Sequence, residues 1–403
     1  MRDYILAMPT NPPQAAVAPT PSGTFEDPLP GRLLSLDIFR GLAVAGMIIV
    51  DNPGSDDQAY WAIKHTEWNG WTPADLIFPS FLFLVGISIV FSFSSRLQRG
   101  ETRRQILLHV FKRSLLLIAI GLLVNASPIV GFDIHTFRFE GVTQRIALCY
   151  LVAALLELYI GRRWQIAALA ICLVGYWALL RFVPVPGAGT PGHQIPFMDP
   201  DQNITAWLDR ELFMGHLYNG TRDPEGLLHT IPAIGTTLIG LLTGHWLRTR
   251  KAAATIISGL LAFGVVGLVL GKLWDRTFPI NKNLWTSSFV LFTGGFALFF
   301  LALLYWIFDV KKWRGWWTMP ILVLGMNAIA GFVADSLVYG PGYTFMANGP
   351  NGQKVNWHEA AQAHLQAFGL NPANASLIYS LAALGFCWFL LWLLWRRQIF
   401  LKV

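Results

Sequence analysis

Charge is scarce in this 403-residue chain: Asp, Glu, Lys and Arg make up 13% of it, about half the share of an ordinary soluble domain. That excludes a water-bathed globule. Cysteine is scarcer still, and Cys149, Cys172 and Cys387 all lie inside apolar runs. Neither a disulfide framework nor a cysteine metal site is expected from them. Gly-x-Ser-x-Gly, Walker-type loops and HExxH are absent, which removes the usual signatures of serine hydrolases, nucleotide hydrolases and zinc proteases. No internal repeat stands out. The first thirty residues carry Pro9, Pro12, Pro13, Pro19, Pro21, Pro28 and Pro30 but no apolar core of signal-peptide length. Residues 1–31 therefore read as a disordered cytoplasmic tail and not as a cleaved leader.

What is abundant is apolar length. Hydrophobic residues make up 54% of the chain, and runs of about 20 recur throughout, the length that crosses a bilayer as a helix. The fold class expected is an all-α polytopic membrane protein, with residues 32–403 forming one bundle of about ten transmembrane helices. The spans are placed at 36–50, 73–95, 106–125, 142–160, 164–182, 229–247, 253–273, 285–308, 317–339 and 374–395. The net charge of +7 would raise the question of nucleic acid in a soluble protein. Here the basic residues sit in short loops, so the partner is the lipid bilayer and no nucleic acid is expected. With the N-terminus inside, the inner segments hold 17 of the 30 Lys and Arg in 69 residues, and the outer segments hold 7 in 129. Lys and Arg are retained on the cytoplasmic side, so both termini are expected there.

The stretch 64–79, Lys-His-Thr-Glu-Trp-Asn-Gly-Trp-Thr-Pro-Ala-Asp-Leu-Ile-Phe-Pro, is the densest in chemistry. His65, Glu67, Asn69 and Asp75 crowd the start of an apolar run beside Trp61, Trp68 and Trp71. Tryptophans favour the membrane boundary. Thr72-Pro73-Ala74-Asp75 reads as a capped helix start, and His65 is the stretch's one side chain that titrates near neutrality. Ionisable residues inside a bilayer are costly and are functional candidates. Arg40, Lys112, Arg113, Arg145, Glu157, Arg181, Lys272 and Asp335 fall within the spans. Of these, Lys112, Arg113, Glu157, Arg181 and Lys272 lie near enough to an end to snorkel. Arg145, with Gln144 beside it near the outer end of its span, is a functional candidate, and Arg40 either pairs with Asp37 or meets an anion entering from the cytoplasm. Asp223 and Pro224 read as a further helix start, with Glu225 in its first turn. Asn281 and Asn283 form a polar cluster that suits sugar hydroxyls or caps the following span through Asn283. Asn327 reads as a helix–helix hydrogen-bonding amide. His358 and His364, six apart, suit a metal pair poorly, and no metal is expected.

Several stretches together resemble the heparan-α-glucosaminide N-acetyltransferase family, in its bacterial form without the extra luminal domain. They are Ser35-Leu36-Asp37-Ile38-Phe39-Arg40-Gly41, His65-Thr66-Glu67-Trp68-Asn69-Gly70, Ala74-Asp75-Leu76-Ile77-Phe78-Pro79, Gln144-Arg145-Ile146, Asp223-Pro224-Glu225-Gly226, Asn281-Lys282-Asn283-Leu284-Trp285 and Gly325-Met326-Asn327. The resemblance implies a transmembrane acyltransferase of a bacterial inner membrane, forming a homodimer. It would use acetyl-CoA from the cytosol to acetylate an amino sugar such as glucosamine on the far side. The family's catalytic histidine matches His65, and a catalytic asparagine falls on Asn52, with Asp51 as the alternative for that position.

Amide formation needs a neutral amine. His65 could take its proton as general base, or carry the acetyl group itself. Glu67, Asp51 or Asp75 could orient the ring. Asn52, or an amide of 281–283, could donate to the developing oxyanion. The expected acceptor site comprises Trp68, Trp71 or Trp285 against the sugar ring, Asn69, Asn281 and Asn283 on its hydroxyls, and Glu225 or Asp75 on its ammonium. CoA phosphates need cations, for which Arg40, Lys112 and Arg113 are the candidates, with Gln144 and Arg145 along the thioester's path. Two rival classes remain: a sugar transporter or permease, and an O-acyltransferase acting on a cell-envelope glycan.

Overall fold

A computed structural model describes residues 33–127, 132–249 and 251–401; the tail expected over 1–31 lies outside them. The apolar runs have become helices: α1 Leu34–Asp51, α2 Ile77–Gln98, α3 Arg103–Asn125, α4 Val142–Tyr159, α5 Arg162–Phe182, α7 Thr230–Leu247, α8 Ala253–Asp275, α9 Ser287–Leu304, α10 Met319–Met326, α11 Ala328–Thr344 and α13 Pro372–Arg396. Two shorter helices, α6 Ile204–Phe213 and α12 Trp357–Ala367, occupy the long loops. Beside α12, Met346–Asn348 pairs antiparallel with Lys354–Asn356 in a short hairpin.

Among the described residues, seven helices are long and apolar enough to cross a membrane. An eighth is gained if Trp316–Met326 and Ala328–Thr344, bent by 80° at Asn327, count as one broken span. The other two expected spans are the 18-residue helices α1 and α7, which stand where they were placed and are interrupted by polar side chains. Helix α1 carries Asp37, Arg40 and Asp51, while α7 carries four threonines and His245. In each, 12 of 18 residues are buried: these helices face mostly protein, and a surface packed on protein tolerates polar side chains that lipid would not. The outer ring consists of α3, α5, α8 and α13, only 17–28% buried, whereas α2 and α9 reach 56%.

Small residues let the inner helices touch. A Cβ at Gly240 of α7 would sit 1.9 Å from the Phe83 carbonyl of α2, and one at Gly86 would sit 2.0 Å from that of Thr237. Gly325 of α10 meets the Asp37 carbonyl of α1 in the same way, at 2.2 Å.

Helix starts follow local capping chemistry. Thr102 and Gln105 close a capping box on α3, and Asn371 caps α13 ahead of Pro372. Three sequence readings are corrected. Asp223–Pro224 does not begin a helix, because its carboxylate accepts from Arg138 and from the amides of Tyr218 and Glu225, leaving a turn; α7 starts at Thr230. The cap of α9 is Thr286 and not Asn283. Asn327 does not bridge two spans: it sits at the break, binding the Ile399 carbonyl and the Leu401 amide, and so anchors the chain beyond α13.

Candidate active site

The loop 64–72 is fixed at one face of the bundle by its own helix start. The capping box places the Asp75 carboxylate under the loop, where Oδ2 accepts from the amides of Thr72 (3.0 Å) and Thr66 (3.3 Å) and from Thr66 Oγ1 (3.0 Å). A second tie comes from about 210 residues further along the chain. The Gly70 amide donates to the Ile280 carbonyl (2.7 Å), and Asn281 Nδ2 donates to Asn69 Oδ1 (3.2 Å).

On this platform His65 Nδ1 lies 2.8 Å from Asp75 Oδ1. The Asp75 side chain is wholly buried, while that of His65 is 43% exposed. A carboxylate on Nδ1 fixes the proton there and leaves the Nε2 lone pair to act. Lys282 completes the group: its Nζ stands 3.0 and 3.2 Å from the two ring nitrogens and 3.5 Å from Asp75. The orienting group left open between Glu67, Asp51 and Asp75 is therefore Asp75. Lys282 was visible only as one letter of a polar cluster, since nothing in the sequence brings it to His65.

Asn52 is placed differently from expectation. Its two amide hydrogens go to the Ile48 carbonyl (2.9 Å) and to Asp335 Oδ1 (2.6 Å), so in this arrangement neither is left for an oxyanion. Asp335 and Asp51 stand close enough to act on each other, and Asp51 also feels the charges of His65, Lys282 and Glu225.

A salt-bridged turn forms a wall at the same end of the bundle. Arg138 binds Asp223 (Nε–Oδ2 2.7 Å) and Glu225, and lies over the Tyr218 ring at 4.7 Å. Burial would weaken both partners' charged forms. The pairing outweighs it, holding Asp223 below and Arg138 above their ordinary values. Glu140 beside them is pushed up to about 9, by burial first and then by Asp209 and Asp223. Glu225 is thus taken by Arg138, and Asp75 by His65, Thr66 and Thr72. Tyr218 and Tyr339 are among the exposed rings here.

The expected tryptophans hold structure. Trp285 is 1% exposed, adopts φ 48°, and donates to Thr236 Oγ1. Trp71 packs on Phe292 and Phe296, and Trp68 donates to the Met198 carbonyl. The crevice that Trp68 shares with Asn283, Asp209 and His229 holds about 10 Å³, room for one water and not for a sugar. Asn281 Oδ1 caps the Leu284 amide, and Asn283 reaches the Glu67 carbonyl at 3.4 Å.

Arg145 is 1% exposed and binds the Pro224 carbonyl and His229 Nδ1, with its guanidinium 5.1 Å from the Trp285 ring. Gln144 donates to the Phe139 carbonyl. Both stand at the His65 end of the bundle and bind its loops. Arg40 is different: on α1 it lies eleven residues before Asp51, about 16 Å along the axis, and contacts Asp37 (3.1 Å) and Ser88 (3.3 Å). Lys112 is exposed on α3, and Arg113 covers the Tyr150 ring.

A bundle of this kind with a buried carboxylate behind an open imidazole narrows the choice, and comparison decides it. The catalytic-domain model of heparan-α-glucosaminide N-acetyltransferase matches residues 32–272. The chain belongs to that family. The human heparan-α-glucosaminide N-acetyltransferase is 34% identical over 361 residues, covering 77% of this chain and 53% of that protein. The mouse protein is 33% identical over 359 residues, covering 76% and 54%. This chain spans about half the length of these curated relatives. The family match takes in His65, Asp75, Asn52, Arg138 and Glu225, whereas Lys282 and Asp335 lie beyond it. Among the described residues no group of three or more His, Cys, Asp or Glu could hold a metal ion.

Proposed function

We propose that the protein is a transmembrane acetyltransferase that moves the acetyl group of cytosolic acetyl-CoA to the amine of a glucosamine-type sugar on the periplasmic side of a bacterial inner membrane. The observation that carries this reading is the His65–Asp75 couple, a buried carboxylate fixing the tautomer of a half-exposed ring, in a chain of this family. The sugar arrives as an ammonium and loses one proton to solvent. His65 Nε2 removes the second as the nitrogen attacks the thioester carbonyl. The carbonyl becomes an oxyanion beside the Lys282 ammonium, which takes the part first given to Asn52. Collapse expels the CoA thiolate, which recovers the proton from Nε2 as free thiol.

Arg40, Lys112 and Arg113, away from the His65 face, remain the proposed cations for CoA phosphates. Gln144 and Arg145 are reassigned from the thioester's path to holding the 139–229 wall. Trp68, Asn69, Asn281, Asn283 and Trp285 frame the acceptor site by positioning its loops, and Tyr218 and Tyr339 offer the rings for a pyranose. Termini on the cytoplasmic side follow from the Lys and Arg distribution, and a homodimer belongs to the same reading.

The test is acetyl transfer from radiolabelled acetyl-CoA to a panel of amino sugars by purified protein in detergent. His65→Ala is expected to abolish transfer while leaving folding and CoA binding intact. Full turnover in that variant removes the proposed chemistry, and transfer to hydroxyl sugars alone would move the protein to O-acylation.

A further inference from the structure

We propose that the cleft between α5 and α8 is a binding site for an anionic phospholipid, with one acyl chain in the cleft and the phosphate on Arg162 and Lys251. The proposal is independent of the acetyl-transfer reading. Helix α8 packs along α9 and barely touches α7, which leaves a cavity of about 400 Å³ on the outside of the bundle. Its floor includes Gly294 and Gly295 of α9, and Leu169, Phe263 and Val266 stand on its sides.

The lining dictates the ligand. Its polar side chains are Arg162, Thr243 and Trp246. Thr243 Oγ1 already donates to the Ile239 carbonyl (2.8 Å) and Trp246 Nε1 to that of Ile256 (3.1 Å). That leaves Arg162 as the one polar group with capacity to spare, so the cleft suits an apolar body with a single anionic end. The α8 residues along it, Leu260 to Leu270, span about 15 Å, half the ~30 Å hydrocarbon core and the depth of one leaflet.

The mouth lies at the bundle end opposite His65, where α5 begins and α7 ends. Arg162 makes no hydrogen bond or ion pair with any described residue, and Lys251 Nζ sits 4.5 Å from the Trp246 ring centroid. The carboxylate of neighbouring α4, Glu157, is engaged by His245 and Gln165, each at 2.9 Å. The mouth therefore presents positive charge with an interfacial tryptophan, the arrangement that gathers anionic headgroups.

Native mass spectrometry of the full chain, exchanged from nanodiscs of phosphatidylglycerol or of phosphatidylcholine, tests this. One phosphatidylglycerol is expected to stay bound through detergent exchange, with phosphatidylcholine retained at least tenfold less. Arg162→Gln with Lys251→Gln, and separately Val266→Trp, which fills the cleft from an exposed position, should each lower retention of phosphatidylglycerol at least tenfold. Melting curves confirm that each variant is folded, and the single Arg162→Gln stands in if the double variant is not. Equal retention of the two lipids, or retention unchanged in the charge and the filling variants, overturns the proposal. So does a dimer that Val266→Trp converts to monomer, because the cleft would then be covered by a second copy.

Discussion

Asp75→Asn separates what holds the loop from what drives the chemistry. The Oδ2 position accepts from the amides of Thr72 and Thr66 and from Thr66 Oγ1. An asparagine that keeps this platform must put its oxygen there. Its Nδ2 then occupies the Oδ1 position, 2.8 Å from His65 Nδ1, and as a donor it forces the ring to present a lone pair at Nδ1 and the proton at Nε2. That is the wrong tautomer for a base. An analogous aspartate-to-asparagine change behind a catalytic histidine costs about 10⁴ in kcat. Because His65 is more open to water, which can supply the other tautomer, the expected loss here is about 10²–10³, or ~2.7–4 kcal/mol in the barrier. The fold loses only the charge on the capping bonds, about 1 kcal/mol. The assay is single-turnover transfer from radiolabelled acetyl-CoA, read beside CoA binding and the melting temperature. A variant that is folded and binds CoA, with kcat within threefold of the parent, refutes tautomer control.

Lys282→Met is expected to lower kcat about 10²-fold with little change in the KM for CoA, and Lys282→Arg to recover part of it; unchanged kcat in the methionine variant removes the oxyanion role. Glu140→Gln addresses pH. The folded value of about 9 stands above the ordinary 4.5, so the folded state keeps a proton that the unfolded chain releases. That stabilisation is full below about pH 4.5 and is lost as pH rises through about 9. Melting curves from pH 6 to 10 should therefore fall less steeply for the glutamine variant than for the parent, and identical slopes would contradict a buried neutral acid. Gly240→Ala drives a methyl toward the Phe83 carbonyl and should destabilise the α2–α7 crossing by about 1–3 kcal/mol, seen as a lower melting temperature with CoA affinity kept in the surviving fold.

How much of this was legible in the sequence depends on how far each feature reaches along the chain. The helix start at Thr72–Asp75 was readable because a capping box is closed by residues three apart, and it carried His65 with it through a contact only ten residues long. The spans were readable because lipid demands long apolar runs. The polar side chains within α1 and α7 are tolerated for the reason that makes these helices central: protein covers most of their surface. Partners hundreds of residues apart were not readable. Lys282 on His65 and Asp335 on Asn52 are separated by 217 and 283 positions, and no local pattern distinguishes a lysine in a polar turn from one over an imidazole. Nor does composition tell a tryptophan that faces sugar from one that is packed: Trp285 looked like the first, yet it lies under Arg145 and between Phe78 and Phe289. A large ring beside a polar motif holds that motif when it is buried and its N–H is bonded, as Trp285 is to Thr236. The side chains with chemistry left to offer are those whose hydrogen-bonding capacity the fold has not used. By that measure Asn52, for all its place in the motif, has both amide hydrogens spent, whereas His65 Nε2 faces only the Lys282 ammonium, which the proposed step turns to the oxyanion.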